Sequence, residues 1–172
     1  TMPLPQIVQP FLDELSERVG QSSSVSILDG AEIVYVARAA QKRVMSIALM
    51  PGSRLPAYCT SMGRILLAAL PEAEARKILG PAPLPRRTPR TLTEPSAVMA
   101  ELARVRAQGH ALIDQEVEAG LCSLAVPLLN ARGRTVAALN IGLAATTLPA
   151  ETAAPYLTAL REVQARLRAI LT

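Results

Sequence analysis

Apolar residues recur at helical spacing in four long segments of the chain. Apolar residues three or four positions apart recur in each of them, which is typical of amphipathic helices packed on a core. The predicted helices run over Leu4–Val19, from Thr60 or Ser61 to Leu70, over Pro95–Gly109 and over Pro149–Leu171. A further short helix is predicted to begin at Pro71 and end at Leu79.

Short runs rich in β-branched residues predict strands between these helices. Ser24–Leu28 and Glu32–Ala39 flank Asp29-Gly30, a strong signal for a two-residue hairpin turn. Further extended segments are predicted at Arg43–Leu49, Arg54–Cys59, His110–Ile113, Cys122–Leu129 and Arg134–Leu143. Because the strands follow one another through hairpins, the order predicts one α/β (α+β) domain, residues 1–172. Its antiparallel sheet has five or six strands, with helices packed on it.

Composition narrows the classes of function. Half of the residues are apolar, but there are only one Phe and three Tyr and no Trp, which argues against a surface that stacks on bases. The net charge of +4 is scattered, apart from Arg86, Arg87 and Arg90 in a proline-rich loop. Such a cluster is typical of a solvated loop. The charge therefore gives no indication of nucleic-acid binding.

The two cysteines, Cys59 and Cys122, are not in CxxC spacing. The sequence shows no signal peptide and no apolar run near the roughly 20 residues that a membrane span needs. Together these features predict reduced thiols in a cytoplasmic protein that does not bind a membrane.

Candidates for catalysis are few. Besides the cysteines they are His110 and the acidic residues Asp114, Glu116 and Glu118. Paired carboxylates could act as acid and base if burial shifted their pKa values, but we expect a polar loop at a strand end. We expect Cys122 to be a buried hydrophobe and His110 to be solvated or capping. No ligand spacing for zinc and no glycine-rich phosphate loop occurs, so we predict no enzyme, cofactor or metal.

The most informative stretch is Arg54–Arg64, in which an extended segment enters a helix through Thr60 and Ser61. The first N–H groups of a helix are unpaired and carry a positive partial charge, so they can hold a carboxylate. An ordinary helix cap is the alternative interpretation of these two hydroxyl residues.

At these residues the chain resembles the effector-binding domain of the IclR family of bacterial transcriptional regulators. Three blocks carry the resemblance, in order and at their separations: 52–68, 106–121, and 125–128 with its continuation at 133–142. The variant Tyr-Cys-Thr-Ser-Met-Gly-Arg at 58–64, with Asp-Gln-Glu at 114–116, is similar to the branch that controls catabolism of protocatechuate, 4-hydroxybenzoate and β-ketoadipate. Met62 stands where the wider family tends to have small residues.

The resemblance implies a GAF-like fold whose pocket binds one of these acids or a similar organic acid, in a homodimeric or tetrameric regulator. Residues 1–20 would be the helix that links this domain to an N-terminal winged helix-turn-helix, which the sequence does not include. Operator DNA would then be bound only through that missing domain, and this fragment alone should not bind it.

Carried over by position, the resemblance implies a set of effector-binding residues on four parts of the chain. They are Val44, Ser46, Ser61, Met62, Gly63, Ile113 or Asp114, Leu121, Cys122, Ser123, Asn140 and Gly142. We expect the effector carboxylate to be held by the backbone N–H groups of Ser61, Met62 and Gly63, with hydroxyl groups such as that of Thr60 nearby.

Two other functions remain open at this point. Some GAF-like domains reduce methionine sulfoxide with cysteines, and this chain has two. A purely structural oligomerisation domain would need no pocket and could use the long terminal helices alone.

Overall fold

A computed structural model describes residues 2–41, 49–147 and 150–172. Within these ranges six strands form one sheet, in the order β3-β2-β1-β6-β5-β4, and every neighbouring pair is antiparallel. The strands are β1 (Ser23–Asp29), β2 (Glu32–Ala39), β3 (Arg54–Pro56), β4 (Ala111–Asp114), β5 (Leu121–Leu129) and β6 (Thr135–Ala144). The predicted antiparallel α+β architecture is thus confirmed.

Five α-helices in the described residues cover both faces of this sheet. They are α1 (Leu4–Val19), α2 (Ser61–Ala68), α3 (Glu72–Leu79), α4 (Pro95–Gln108) and α5 (Ala150–Arg168). The first and last helices pack on one face, because the apolar stripes of α1 and α5 share a core with alternate residues of β1, β5 and β6. Helices α2, α3 and α4 pack on the other face. No described helix has the length and apolarity needed to cross a bilayer.

The hairpin between β1 and β2 turns one residue later than the sequence suggested. Asp29 still belongs to β1 and pairs with Glu32, so the two turn residues are Gly30 and Ala31. Only Gly30 among these has a positive φ, at 63°, a conformation that costs glycine little. The predicted strand Arg43–Leu49 lies almost entirely outside the described residues.

Strand β2 contains a β-bulge at Val36, which matters for the site. Val25 pairs with Ala37 and Ser26 pairs with Tyr35, so Val36 is an extra residue without a partner. A bulge of this kind shifts the alternation of side chains along a strand. After the bulge, therefore, each residue of β2 lies on the opposite face of the sheet from the one that a regular strand would give it.

Candidate functional site

A cavity lies between the inner face of the sheet and the start of α2. Together with the solvent space at its open mouth, it comprises about 550 Å³. Its described lining residues are Ser22, Tyr35, Arg38, Leu49, Leu55, Thr60, Ser61, Met62, Ile113, Val117, Leu121, Ser123, Asn140 and Gly142. The lining is thus mixed, with aliphatic side chains, several hydroxyl groups and one guanidinium.

Several of the residues implied by the resemblance meet at this cavity. They are Ser61, Met62, Ile113, Leu121, Ser123, Asn140 and Gly142. The strand pairing explains why, since Ser123 lies opposite both Ile113 and Gly142 in the register, and directly paired residues project to the same face of a sheet. Of the two alternatives at β4, the structure therefore places Ile113 and not Asp114 at the cavity.

Two residues of the implied set belong to the opposite face. Asp114 and Cys122 are paired with each other, one position along from Ile113 and Ser123, so strand alternation directs them away from the cavity. Cys122 lies in the core under the terminal helices, and its thiol donates to Asp114 Oδ1 at 3.3 Å. We leave both out of the proposed site. Val44 and Ser46 lie in the segment 42–48, which the structure does not describe.

Gly63 lies in the first turn of α2 but does not line the cavity. Its N–H donates to Thr60 Oγ1 at 3.1 Å, so Thr60 is a true N-cap. A Cβ atom at position 63 would lie 2.1 Å from the carbonyl oxygen of Ala57, so the glycine is required for close backbone packing. The N–H groups of Ser61 and Met62 remain, and no described residue accepts from them.

Sequence reasoning missed two polar lining residues on β2, Arg38 and Tyr35, as well as Ser22, Leu49, Leu55 and Val117. Arg38 and Tyr35 are three positions apart, and in a regular strand they would face opposite sides of the sheet. The extra residue at Val36 places both at the cavity. A bulge leaves no clear signature in this sequence, so strand alternation alone could not have identified the pair.

Arg38 belongs to a polar row that crosses three strands. Ser24 lies opposite Arg38 on one side and opposite Asn140 on the other, and Arg38 Nη1 donates to Ser24 Oγ at 3.1 Å. No described carboxylate lies within ion-pair distance of Arg38. Burial lowers the pKa of its guanidinium, as expected for a half-buried cation without an anionic partner.

A second polar element consists of two hydroxyl groups. Ser123 Oγ donates to Ser61 Oγ at 2.7 Å, which joins β5 to the start of α2. Both residues line the cavity. With this donor direction the Ser61 proton stays available to a ligand, and Ser123 can accept one more hydrogen bond.

The loop of residues 115–120 forms one wall of the cavity through Val117. It begins at Gln115, the one described non-glycine residue with a positive φ, at 61°. The adjacent Glu116 is not solvated, contrary to our expectation of a polar loop. Its carboxylate forms a two-pronged ion pair with Arg64, with oxygen–nitrogen distances of 2.8 and 2.7 Å. Thr91 Oγ1 donates to the carbonyl oxygen of Glu116 at 2.7 Å.

The cysteines are buried and separate. Cys59 lies in the core of α2–α4 and Cys122 in the core of the terminal helices. Burial raises the pKa of the Cys59 thiol to about 11 and that of the Cys122 thiol to about 12. Both thiols are therefore poor nucleophiles near neutral pH.

His110 and the remaining acidic residues offer no assembled chemistry either. His110 Nδ1 is buried and has no hydrogen-bond partner among the described residues, so that atom is not solvated as expected, whereas the imidazole does interact with the backbone of Gln108 at the end of α4. Across the described ranges, no three His, Cys, Asp or Glu side chains come together as a metal site.

Comparisons with known proteins agree with this architecture. Over 140 residues, 81% of this chain, the sequence is 48% identical to the Pca regulon regulatory protein of Pseudomonas putida and covers 48% of that protein. The chain thus spans about half the length of this curated relative.

Two solved structures have the same fold over nearly the whole chain. A candidate transcriptional regulator from Rhodococcus sp. RHA1 superposes with a TM-score of 0.92 and 45% identity, covering 98% of this chain and 69% of that one. The inducer-binding domain of a double mutant of the Acinetobacter transcription factor PobR, in complex with 3-hydroxybenzoic acid, superposes with a TM-score of 0.90 and 32% identity. That match covers 99% of this chain and 100% of the other.

The model of one protein family, described as the bacterial transcriptional regulator IclR C-terminal family, matches residues 1–168. The matched range includes every described helix and strand of the fold and all the described residues that line the cavity. This chain belongs to the IclR family of bacterial transcriptional regulators, as a C-terminal domain of that family.

Proposed function

We propose that this domain is the sensor of a transcriptional regulator and binds a small aromatic carboxylic acid in the cavity between the sheet and α2. Binding would shift the equilibrium between conformations of the full-length regulator. The observation that carries the proposal is Arg38, a half-buried guanidinium that lines a cavity of mixed aliphatic and neutral polar residues and has no described carboxylate partner.

A ligand carboxylate beside Arg38 would supply the missing anion. Charge-assisted hydrogen bonds of this kind are roughly twice as strong as neutral ones. Asn140 lies in the same row and lines the cavity, so its amide can add a neutral hydrogen bond, while Met62 and Leu121 would enclose the apolar body of the ligand. The N–H groups of Ser61 and Met62, from which no described residue accepts, offer a second set of donors in the same cavity.

The comparisons support the chemical class of the ligand. One structural neighbour is an inducer-binding domain that holds 3-hydroxybenzoic acid, and one relative regulates the Pca regulon. We carry this class over to the present chain as part of the proposal, with protocatechuate and 4-hydroxybenzoate as the first candidates and the aliphatic acid β-ketoadipate as the alternative outside this class.

The enzyme alternative has no support in the geometry. A cysteine-dependent sulfoxide reductase needs reactive thiols that can meet, whereas Cys59 and Cys122 lie in different cores and both have a raised pKa. A purely structural domain would have no use for a cation in an internal cavity. We therefore propose a binding domain without catalytic activity.

Calorimetry tests the proposal directly. The purified domain should bind at least one member of a panel of 3-hydroxybenzoate, 4-hydroxybenzoate, protocatechuate and β-ketoadipate, and should bind the corresponding amide more weakly. Arg38→Met should weaken binding about 10-fold to 100-fold, because one charge-assisted interaction contributes about 1.5–3 kcal/mol. Arg104→Met is the control, since Arg104 is exposed on α4 and pairs with Glu101.

Two results would reject this function. One is a domain that binds none of the acids, and the other is an Arg38→Met variant with wild-type affinity and an intact fold.

The partners of the whole regulator form a further part of the proposal. We expect the domain to associate with itself as a dimer or tetramer, and we expect contact with operator DNA to be made by a separate DNA-binding domain. Light scattering at tens of micromolar protein checks the first point, and a purely monomeric domain would contradict it. An electrophoretic mobility assay in which this domain alone shifts operator DNA would contradict the second.

A further inference from the structure

We infer that the Tyr35 hydroxyl donates a hydrogen bond to a second oxygen of the effector, so that the cavity selects ring-hydroxylated aromatic acids over unsubstituted benzoate. The inference rests on the proposed function and deepens it, because it assigns the residue that binds the ring substituent. Tyr35 lines the cavity and shares its face of β2 with Arg38.

The Tyr35 side chain is buried, with only 4% of its surface exposed, yet its hydroxyl makes no hydrogen bond within the described residues. Among the described residues, His110 Nδ1 is the one buried side-chain N or O atom without a hydrogen-bond partner, so the Tyr35 hydroxyl itself is accessible to solvent, on the side of the cavity that the residue lines. Ser26 lies opposite Tyr35 in the register, but its hydroxyl donates to Met62 Sδ at 3.2 Å instead. The hydroxyl is therefore available to a ligand that enters the cavity.

The Tyr35 hydroxyl acts as a hydrogen-bond donor. Burial raises the pKa of its hydroxyl to about 12, so it keeps its proton throughout the physiological range. The partner it suits is an oxygen with a free lone pair, such as a phenol oxygen. The nearby positive charge of Arg38 lowers the pKa of Tyr35 in opposition to burial, as expected for two groups that face one cavity.

The spacing of the two polar positions fits one aromatic ring. Arg38 lies in the row of Ser24, and Tyr35 lies in the row of Ser26, two residues further along β1. Two residues of an antiparallel strand span about 7 Å, which is comparable to the length of a benzene ring with a substituent at each end. An aromatic acid whose carboxylate lies at the row of Arg38 and whose ring runs along the strands would reach the row of Tyr35.

The backbone of Tyr35 is held on its other side by the turn before β3. Its N–H donates to Ser53 O at 2.9 Å, and its carbonyl oxygen accepts from Gly52 N at 2.7 Å. These bonds fix the residue next to the bulge, so the orientation of the ring does not depend on the ligand alone.

The test compares benzoate, 3-hydroxybenzoate and 4-hydroxybenzoate by calorimetry on three proteins: the wild type, Tyr35→Phe and Tyr156→Phe. The wild type should bind at least one hydroxybenzoate about 10-fold more tightly than benzoate, as one net hydrogen bond predicts. Tyr35→Phe should lose this preference while its affinity for benzoate stays within about two-fold of wild type. Tyr156→Phe removes a hydroxyl on α5, outside the cavity lining, and should keep the preference.

The outcomes distinguish a failure of the role of Tyr35 from a failure of acid sensing as a whole. If benzoate and both hydroxybenzoates bind the wild type equally, or if Tyr35→Phe keeps the preference, the role of Tyr35 is overturned while acid sensing stands. If none of the three acids binds the wild type, the proposed aromatic-acid sensing fails first. Matching unfolding midpoints for all three proteins establish that the fold is unchanged.

Discussion

Arg64 and Glu116 lie 52 positions apart in the sequence and form two parallel hydrogen bonds between guanidinium and carboxylate. Their side chains are only 2% and 10% exposed. The pair joins the first turns of α2 to the loop that carries Val117 into the cavity wall. The same carboxylate also accepts from the backbone N–H of Leu92 at 2.9 Å, so three separate parts of the chain meet at this one charge.

Removing one partner of this pair should destabilise the domain strongly. Arg64→Met leaves the Glu116 carboxylate buried without its cation, and breaking a buried pair in this way costs about 3–5 kcal/mol. The double variant Arg64→Met/Glu116→Leu should recover much of that loss, because it leaves no buried charge unpaired. Urea unfolding measures the free energies.

The control for this prediction is Arg76→Met, which breaks an exposed pair with Glu72 on α3 and should change stability by less than about 0.5 kcal/mol. A single Arg64→Met variant as stable as the wild type would show that the buried pair does not stabilise the packing of the loop of residues 115–120.

Two glycines near the site should respond differently to alanine. In Gly63→Ala the added Cβ meets the backbone of Ala57, with 2.1 Å to its oxygen and 2.4 Å to its Cα, and overpacking of this kind costs about 1–3 kcal/mol. In Gly142→Ala the Cβ meets no atom within 4 Å, and the methyl enters the cavity. We expect Gly63→Ala to lower the unfolding midpoint and Gly142→Ala to weaken acid binding with an unchanged midpoint. The reverse pattern would contradict the assignment of the two glycines.

Proline at position 61 tests the contribution of the helix start. Thr60 has an extended backbone, with φ −108° and ψ 151°, which is compatible with a following proline, and proline is favoured in the first turn of a helix. Ser61→Pro therefore removes one N–H donor with little change to the helix. If that N–H holds the effector carboxylate, Ser61→Pro should bind acids more weakly than Ser61→Ala, which loses only the hydroxyl. Equal affinities of the two variants in calorimetry would leave Arg38 as the main anchor.

His110 should make the domain less stable in mild acid. Burial lowers the pKa of its imidazole in the folded state, a hydrogen bond with the backbone of Gln108 opposes this shift, and the charges of Arg161 and Arg104 add to it. The unfolded chain then binds more protons than the folded one at pH values between the lowered folded pKa and the ordinary value near 6.5. Stability from this group is complete above that ordinary value and is lost as the pH falls through the window.

Urea unfolding of wild type and His110→Gln at pH 7.5 and pH 5.5 measures this effect. Other groups titrate in both proteins, so the difference between the two pH dependences isolates the histidine. The wild type should lose more stability on acidification than the variant, and an equal loss would contradict the prediction.

Sequence periodicity was sufficient for most of the fold because each element has a clear local pattern. Helix α1 has the predicted bounds, and the cap at Thr60 was one of the two residues expected there. The site was harder to predict. The resemblance identified positions on α2, β4, β5 and β6, but its uncertainty of one residue was enough to include Asp114 and Cys122 on the wrong face of the sheet.

The interactions that join distant parts of the chain could not be predicted in the same way. Nothing local to Glu116 indicates that it is buried, because its partner Arg64 is brought to it only by tertiary packing. Arg38 looked like one of several scattered charges for a similar reason. Its position depends on an extra residue in β2, whereas period-two reasoning assumes a regular strand.

The extra residue at Val36 also affects how the same site should be sought in other chains. In this protein an aromatic donor and a cation three positions apart share one face, while in a regular strand the equivalent pair would be two positions apart. A relative without Val36 could present the same two groups to the same ligand, although an ungapped alignment would pair its cation with Ala37. The position across from Ser24, rather than a fixed count from the aromatic residue, is therefore the criterion for deciding which relatives carry an acid-binding cation.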